Sequence, residues 1–410
     1  MGKVTIIGLN HQHYLNLLIL LRLPHSPLSA DICCMISLKR GAAQFSRKYR
    51  YLLVAVLLLV VFSLFPSAVE RYYSQGFYPF FSVILRTIFG LFPVSLGDLI
   101  YSGGIIYLII SIARWLYHRF VRKRKSDTGL LLQKMVVAGL WLYVIFKVFW
   151  GLNYDRPTVG ESRQLGNPEY SLEELIDFND RLIEALNVNR SVIPGDTLPS
   201  ITFSQVVQIS KQAYASLAES FPEIAWRAPA LKKSLLAELG DWVGYTGYYN
   251  PFTGEAQIRT ELPDILLPYI ACHEVAHQLG YARESEASYI GWLAVQAQED
   301  ARLRYSAALD LYDQVQQELW RIYALRGDSA GLRRQLQENA RRLDTSVKRD
   351  RKAIRQFFRT RTHAVTPAFN ELYAQYLRMN GQKEGMRSYR EVVGWILAEE
   401  RSRGRKTKLY

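Results

Sequence analysis

Seven histidines are spread over 410 residues, and two of them, His273 and His277, flank Glu274 in the run His-Glu-Val-Ala-His. Residues four apart share one face of a helix, so both imidazoles can reach one Zn2+ ion. Glu274 stands one residue further round, beside the open coordination position, where a carboxylate can take a proton from water polarised by the metal. A catalytic zinc site needs a third protein ligand. Gly280 lets the chain turn after the helix, and Glu284 and Glu286 arrive just beyond it. Glu284 is the favoured ligand. Glu286 is the alternative ligand, or else orients a histidine or sits on the surface. The competing account of the motif is a solvated helix face with an internal salt pair. It is weakened by Ile270, Ala271, Val275, Ala276 and Leu279, which make the helix apolar elsewhere and leave the cluster in need of a partner.

The elements that position these groups follow. Pro263 begins the helix and Gly280 ends it. Before it, Gly240 to Thr260 is rich in Gly, Tyr and Trp, and Asn250-Pro251-Phe252-Thr253-Gly254 is a strong turn signal. Glu255 to Arg259 reads as a short strand, giving a hairpin just ahead of the active helix. Ser171 caps a helix that runs to about Leu186, and Thr202 or Ser204 starts another that runs to Leu217. Pro222 to Pro229 breaks the pattern. Glu284 to Leu325, Ala330 to Phe358, Pro367 to Leu377 and Ser388 to Glu399 read as helical.

The run Gly-Tyr-Tyr-Asn-Pro-Phe-Thr-Gly-Glu-Ala-Gln from Gly247, then Leu-Pro and Leu-Leu-Pro, then His-Glu-Val-Ala-His-Gln-Leu-Gly-Tyr-Ala, then Glu-Ser-Glu-Ala-Ser resembles a bacterial membrane-protein family known as domain of unknown function 3810. The likeness extends from the first apolar segment to near the end of the chain. At a distance it is similar to zincin metallopeptidases of the gluzincin type, whose Glu-x-x-x-Asp or Glu-x-x-Ala-Asn motif carries the third ligand. Matched residue by residue, that motif puts the ligand on Glu284 and its alanine on Ala287, with Ser288 where Asp or Asn is usual. The resemblance implies membrane anchoring and a zincin-like domain, and no particular substrate. In zincins an edge strand beside the active helix pairs with an extended substrate. Glu255 to Arg259 is the candidate here, with Gln257 and Ile258 meeting the peptide. Tyr248, Tyr249 and Tyr389 are candidates to stabilise the oxyanion.

The rest of the composition sets the location. The first third is apolar and the remainder polar, within an overall 49% hydrophobic content. Three stretches approach the roughly 20 apolar residues needed to span a bilayer, at about 51–69, 99–116 and 135–150. Lys147 near the end of the third can snorkel to the interface. Phe77 to Val94, with Arg86 in its middle, is read as an aromatic helix lying on the outer leaflet. Lys39, Arg40, Arg47, Lys48 and Arg50 precede the first span, and seven basic residues from Arg114 to Lys134 lie between the second and third. Positive-inside logic puts both in the cytoplasm and everything after Gly151 outside. Much of the +14 net charge is therefore a matter of orientation, and nucleic acid is not a partner. Arg341 to Arg361 is a solvated face, or one that meets anionic headgroups. Three cysteines, Cys33, Cys34 and Cys272, give no disulfide framework and no Cys-x-x-Cys site. Tyr14 to Leu21 is too short to span and lacks a cleavage site, so no signal peptide is read, and Met35 is an alternative start.

The expectation is a mainly α protein: a cytoplasmic tail over 1–45, a membrane region over 46–152 with three transmembrane helices, and an extracytoplasmic α-rich zincin-like domain with a small β-hairpin or sheet over 153–410. Its partners are the lipid bilayer and a peptide or protein substrate; the sequence does not set the oligomeric state. The expected function is a membrane-anchored zinc metallopeptidase. The alternatives are a non-catalytic metal-binding envelope protein and a hydrolase of another envelope amide, such as a peptidoglycan cross-link.

Overall fold

Long apolar runs and polar amphipathic runs alternate along the chain, and nearly all of them become helix. A computed structural model describes residues 49–122, 128–195, 200–363, 365–380, 391–404, 406–407 and 409. The expected 1–45 tail, with Cys33, Cys34 and Met35, lies outside them. Helix α1 (Tyr49–Ser63) is followed by α2 (Pro66–Gly90), bent from it by 100° at the break. Pro66 opens α2, as suits a residue without an N–H. Helix α3 (Leu96–Leu116) continues in helical turns to Val121, and α4 spans Thr128–Phe149. These last two are each long and apolar enough to cross a membrane. The bent pair makes a third only if counted as one broken span. The first expected span is thus a broken element, and two straight candidates remain.

The segment expected to lie on the outer leaflet is the second half of α2. One side of it packs against the polar part of the chain: Tyr78 and Arg86 are buried, and Arg86 Cγ lies against Gly254. Phe80, Ile84 and Ile88 on the other side are exposed. Arg86 is tolerated inside because it donates to Ser82 O and Oγ, both at 3.2 Å. Lys147 likewise meets a carboxylate, Asp155 Oδ2 at 2.6 Å.

Beyond residue 150 the local signals act as expected. Ser171 and Glu174 form a reciprocal capping box on α5 (Leu172–Ser191), and Thr202 and Gln205 form one on α6 (Phe203–Ser220). Then come α7 (Leu267–Gln278), α8 (Glu284–Gln296), α9 (Ala301–Leu325), α10 (Ser329–Arg342), α11 (Thr345–Arg361), α12 (Thr366–Met379) and α13 (Glu391–Arg403). Two expected long helices are each split. Asp300 caps α9 by accepting from Arg302 N and Leu303 N, and Leu343 takes an extended conformation after α10. The core gathers Phe178 and Leu182 of α5, Tyr214 of α6, Val275 of α7, Ile290 of α8 and Leu311 of α9, all fully buried.

Three short strands form one mixed sheet in the order β1-β3-β2. The expected hairpin is β2 (Gly247–Tyr249) against β3 (Ala256–Ile258), antiparallel, with Tyr248 opposite Gln257. A strand with no sequence signal, β1 (Leu231–Lys233), pairs parallel to the other side of β3. Both edges of β3 are therefore occupied, and Gln257 and Ile258 are fully buried. They are not placed to meet an extended substrate; the edge strands are β1 and β2.

The turn between β2 and β3 holds the start of α3. Glu255, fully buried, accepts from Gly97 N at 2.7 Å, Leu96 N at 3.2 Å and Ser95 Oγ at 3.3 Å. A carboxylate here satisfies orphan donors at a helix N-terminus and suits its dipole. Asp98 of α3 in turn accepts from Leu235 N at 2.6 Å and from the Tyr248 hydroxyl.

Candidate metal centre

His273, Glu274 and His277 lie on α7, and Gly280, at φ +92°, turns the chain so that Glu284 enters in the first turn of α8. The two helices approach closely because Gly291 faces α7: a Cβ there would lie 3.3 Å from His273 N. One ligand atom each from His273, His277 and Glu284 falls within 4.8 Å of the others. Glu284 Oε2 is 3.1 Å from His273 Nε2 and 3.7 Å from His277 Nε2. Zinc bonds of about 2.0–2.1 Å at tetrahedral angles place ligand atoms roughly 3.3 Å apart, so the donor set has the chemistry and nearly the spacing to hold one such ion.

Surrounding groups fix the imidazoles. His277 Nδ1 donates to Tyr281 O at 2.7 Å, which leaves Nε2, facing Glu284, as the nitrogen that could ligate a metal. His273 Nδ1 meets Ser288 Oγ at 3.1 Å, so the serine at the unusual motif position does touch the cluster. Tyr373 of α12 donates to Glu284 Oε1 at 2.5 Å. The end of α7 is held by residues from both sides of position 152. Trp150 Nε1 donates to His277 O at 3.2 Å, Tyr78 Oη to Gln278 O at 3.0 Å, and Arg156 Nη1 to Gly280 O at 3.4 Å. These bonds satisfy carbonyls that a helix terminus leaves orphaned.

Glu274 is buried, and its Oε2 has no hydrogen-bond partner. Gly247 of β2 leaves room for it, since a Cβ there would lie 2.6 Å from Glu274 Oε1. Burial pushes the Glu274 carboxyl up to about 8. Burial also pulls His273 down. For His277 the same pull is outweighed by the Glu284 carboxylate, which raises it to about 9. Burial would raise Glu284, yet the hydrogen bond from His273 and the charge of nearby His277 hold it well below the usual carboxylate range.

The other expected residues are placed elsewhere. Glu286 Oε1 accepts from Arg283 at 2.9 Å and Val159 N at 3.1 Å, so it is a structural tie that touches neither histidine. The Tyr248 hydroxyl is bound to Asp98, and the hydroxyl of half-buried Tyr249 pairs with Tyr78 at 3.2 Å. Both line the same cavity as the cluster, with their hydroxyls engaged in these bonds. Tyr389 lies outside the described residues. The tyrosine hydroxyl bonded to Glu284, that of Tyr373, was not anticipated, and neither was Gly247.

A cavity of about 1430 Å³ opens from His273, Glu274, His277 and Glu284. It passes β2 and continues between α3 and α4, where Ile105, Leu108, Leu142 and Ile145 line it. The family model for proteins of unknown function, DUF3810, matches residues 73–397, and the chain belongs to that family. Comparison with curated proteins and with solved structures gave no match.

Proposed function

We propose that this protein is a membrane-anchored, zinc-dependent metallopeptidase with a zincin-like domain on the extracytoplasmic side of a bacterial cytoplasmic membrane. The observation that carries the reading is the convergence of His273, His277 and Glu284 beside a buried Glu274 oxygen that has no partner. When bound, zinc would supply Lewis acidity to a substrate carbonyl and to water. His273, His277 and Glu284 would hold the ion, with Ser288, Tyr281 O and Tyr373 orienting them. Glu274 takes the proton of the attacking water and returns it to the leaving nitrogen. Its raised proton affinity suits both halves of that transfer. The outer edge of β2 offers main-chain groups to an extended peptide. Positive-inside loops support the sidedness.

The test compares the envelope proteomes and zinc contents of cells carrying wild-type, Glu274→Gln and His273→Ala protein. The expected result is zinc retained in Glu274→Gln, zinc lost in His273→Ala, and the same uncleaved proteins accumulating in both. Zinc retained with an unchanged proteome and phenotype would make this a non-catalytic metal protein.

A further inference from the structure

We propose that the substrate of this site carries a single long hydrocarbon chain, which lies between α3 and α4 while the amide to be cleaved sits at His273, His277 and Glu284. This deepens the metallopeptidase reading and rests on it. Four observations favour such a substrate.

The cavity is continuous from the cluster to the two apolar helices, and its charged groups are at the cluster end, with Tyr101 and Tyr143 the polar residues on the helices. Its volume, about 1430 Å³, exceeds the roughly 300–1,000 Å³ of a small-molecule pocket. Its length is that of one leaflet. The lining runs from Ile100 to Leu108 on α3 and from Phe149 back to Gly139 on α4, a rise of roughly 12–15 Å against a hydrocarbon core of about 30 Å. Both helices continue well beyond that point, so a spanning helix would find a groove for only half its length. The cavity is also bridged near the cluster end, where the Phe252 ring lies 6.3 Å from that of Tyr101 on α3 and 6.5 Å from that of Phe149 on α4. A helix with side chains is about 10–12 Å across, whereas a polymethylene chain is far thinner.

Gly104 and Gly139 line this arm, one from each helix, and a Cβ at either meets nothing within 4 Å. A leucine at each position is therefore accommodated without a clash and adds bulk to the wall of the arm, remote from the cluster. Gly103 has equally open surroundings but does not line the cavity. It is the matched control.

The experiment uses the full chain, zinc-loaded, in lipid nanodiscs. Two probes share a hydroxamate head that chelates zinc, palmitoyl hydroxamate and acetohydroxamate, and dissociation constants are measured for wild type, Gly103→Leu and the double variant Gly104→Leu/Gly139→Leu. Partition into lipid is common to all three proteins and cancels in the comparison. The expected result is palmitoyl hydroxamate bound at least tenfold more weakly by the double variant than by wild type or Gly103→Leu, with acetohydroxamate bound alike by all three. Equal palmitoyl affinity in all three proteins, with acetohydroxamate still bound, overturns the acyl-chain proposal and leaves the metal site standing. That is also the outcome if a protein helix occupies the groove. Zinc absent from purified wild type, with neither probe bound, overturns the metallopeptidase reading and the substrate proposal together.

Discussion

Gly247 and Glu274 share a space that only one side chain can fill. An alanine at 247 would bring its Cβ within 2.6 Å of Glu274 Oε1 and 2.9 Å of Cγ. We expect Gly247→Ala to displace the carboxylate, cutting turnover at least tenfold with zinc content unchanged. Peptidase assay and metal analysis on one preparation check this; zinc loss would instead place the damage in the ligands. Tyr373→Phe removes the bond to Glu284 Oε1, and partners of metal ligands are worth roughly 10–100-fold in affinity. The variant is expected to release zinc to a chelator at about a tenth of the wild-type chelator concentration. At this scale the sequence exposes His273, Glu274, His277 and Glu284, because fixed helical spacing and a glycine bend bring them together locally. Tyr373 is 89 residues from Glu284 in the chain and is one of 26 tyrosines, so nothing local distinguishes it.

Helix starts with side-chain caps are legible, as at Ser171 and Thr202. The break between α8 and α9 is not, because neither glycine nor proline marks it and Asp300 alone supplies the new start. Burial would raise the Asp300 carboxyl, but bonds from Arg302 and the backbone N–H of Leu303 hold it below its ordinary value. A carboxyl lowered in the fold stabilises above its unfolded value near 4, and that contribution is lost as pH falls through the native value. Asp300→Ala should therefore cost about 1 kcal/mol at pH 7, as caps typically do, and progressively less in acid. Unfolding curves at pH 7 and pH 3 check both the size and the sign. Strand β1 was illegible for another reason: three residues carry no periodicity, and its pairing with β3 is purely tertiary. That missed strand is what makes β3 the central strand and leaves β1 and β2 as the edges.

Hydropathy located the apolar helices but not how far the apolar half is built into the polar one. Tyr78 and Trp150 hold the end of α7, and Ser95, Leu96 and Gly97 satisfy Glu255. These contacts cross the line between membrane region and domain that composition suggests at residue 152. A fragment of residues 153–410 leaves the Glu255 carboxylate without three of its donors, at a cost of about 1–3 kcal/mol for each buried group orphaned. It is expected to aggregate on size exclusion and to retain less zinc than the full chain; a monodisperse, zinc-replete fragment would contradict this. The clasp of Glu255 on the first turn of α3 has a mechanical corollary. If α3 tilts to match a thinner bilayer, the β2–β3 turn must travel with it, carrying Gly247 toward or away from Glu274. If the proposed hydrolysis occurs, its rates in nanodiscs of short and long acyl lipids would then differ, and uncoupling the clasp with Glu255→Gln should flatten that response by freeing the turn from α3.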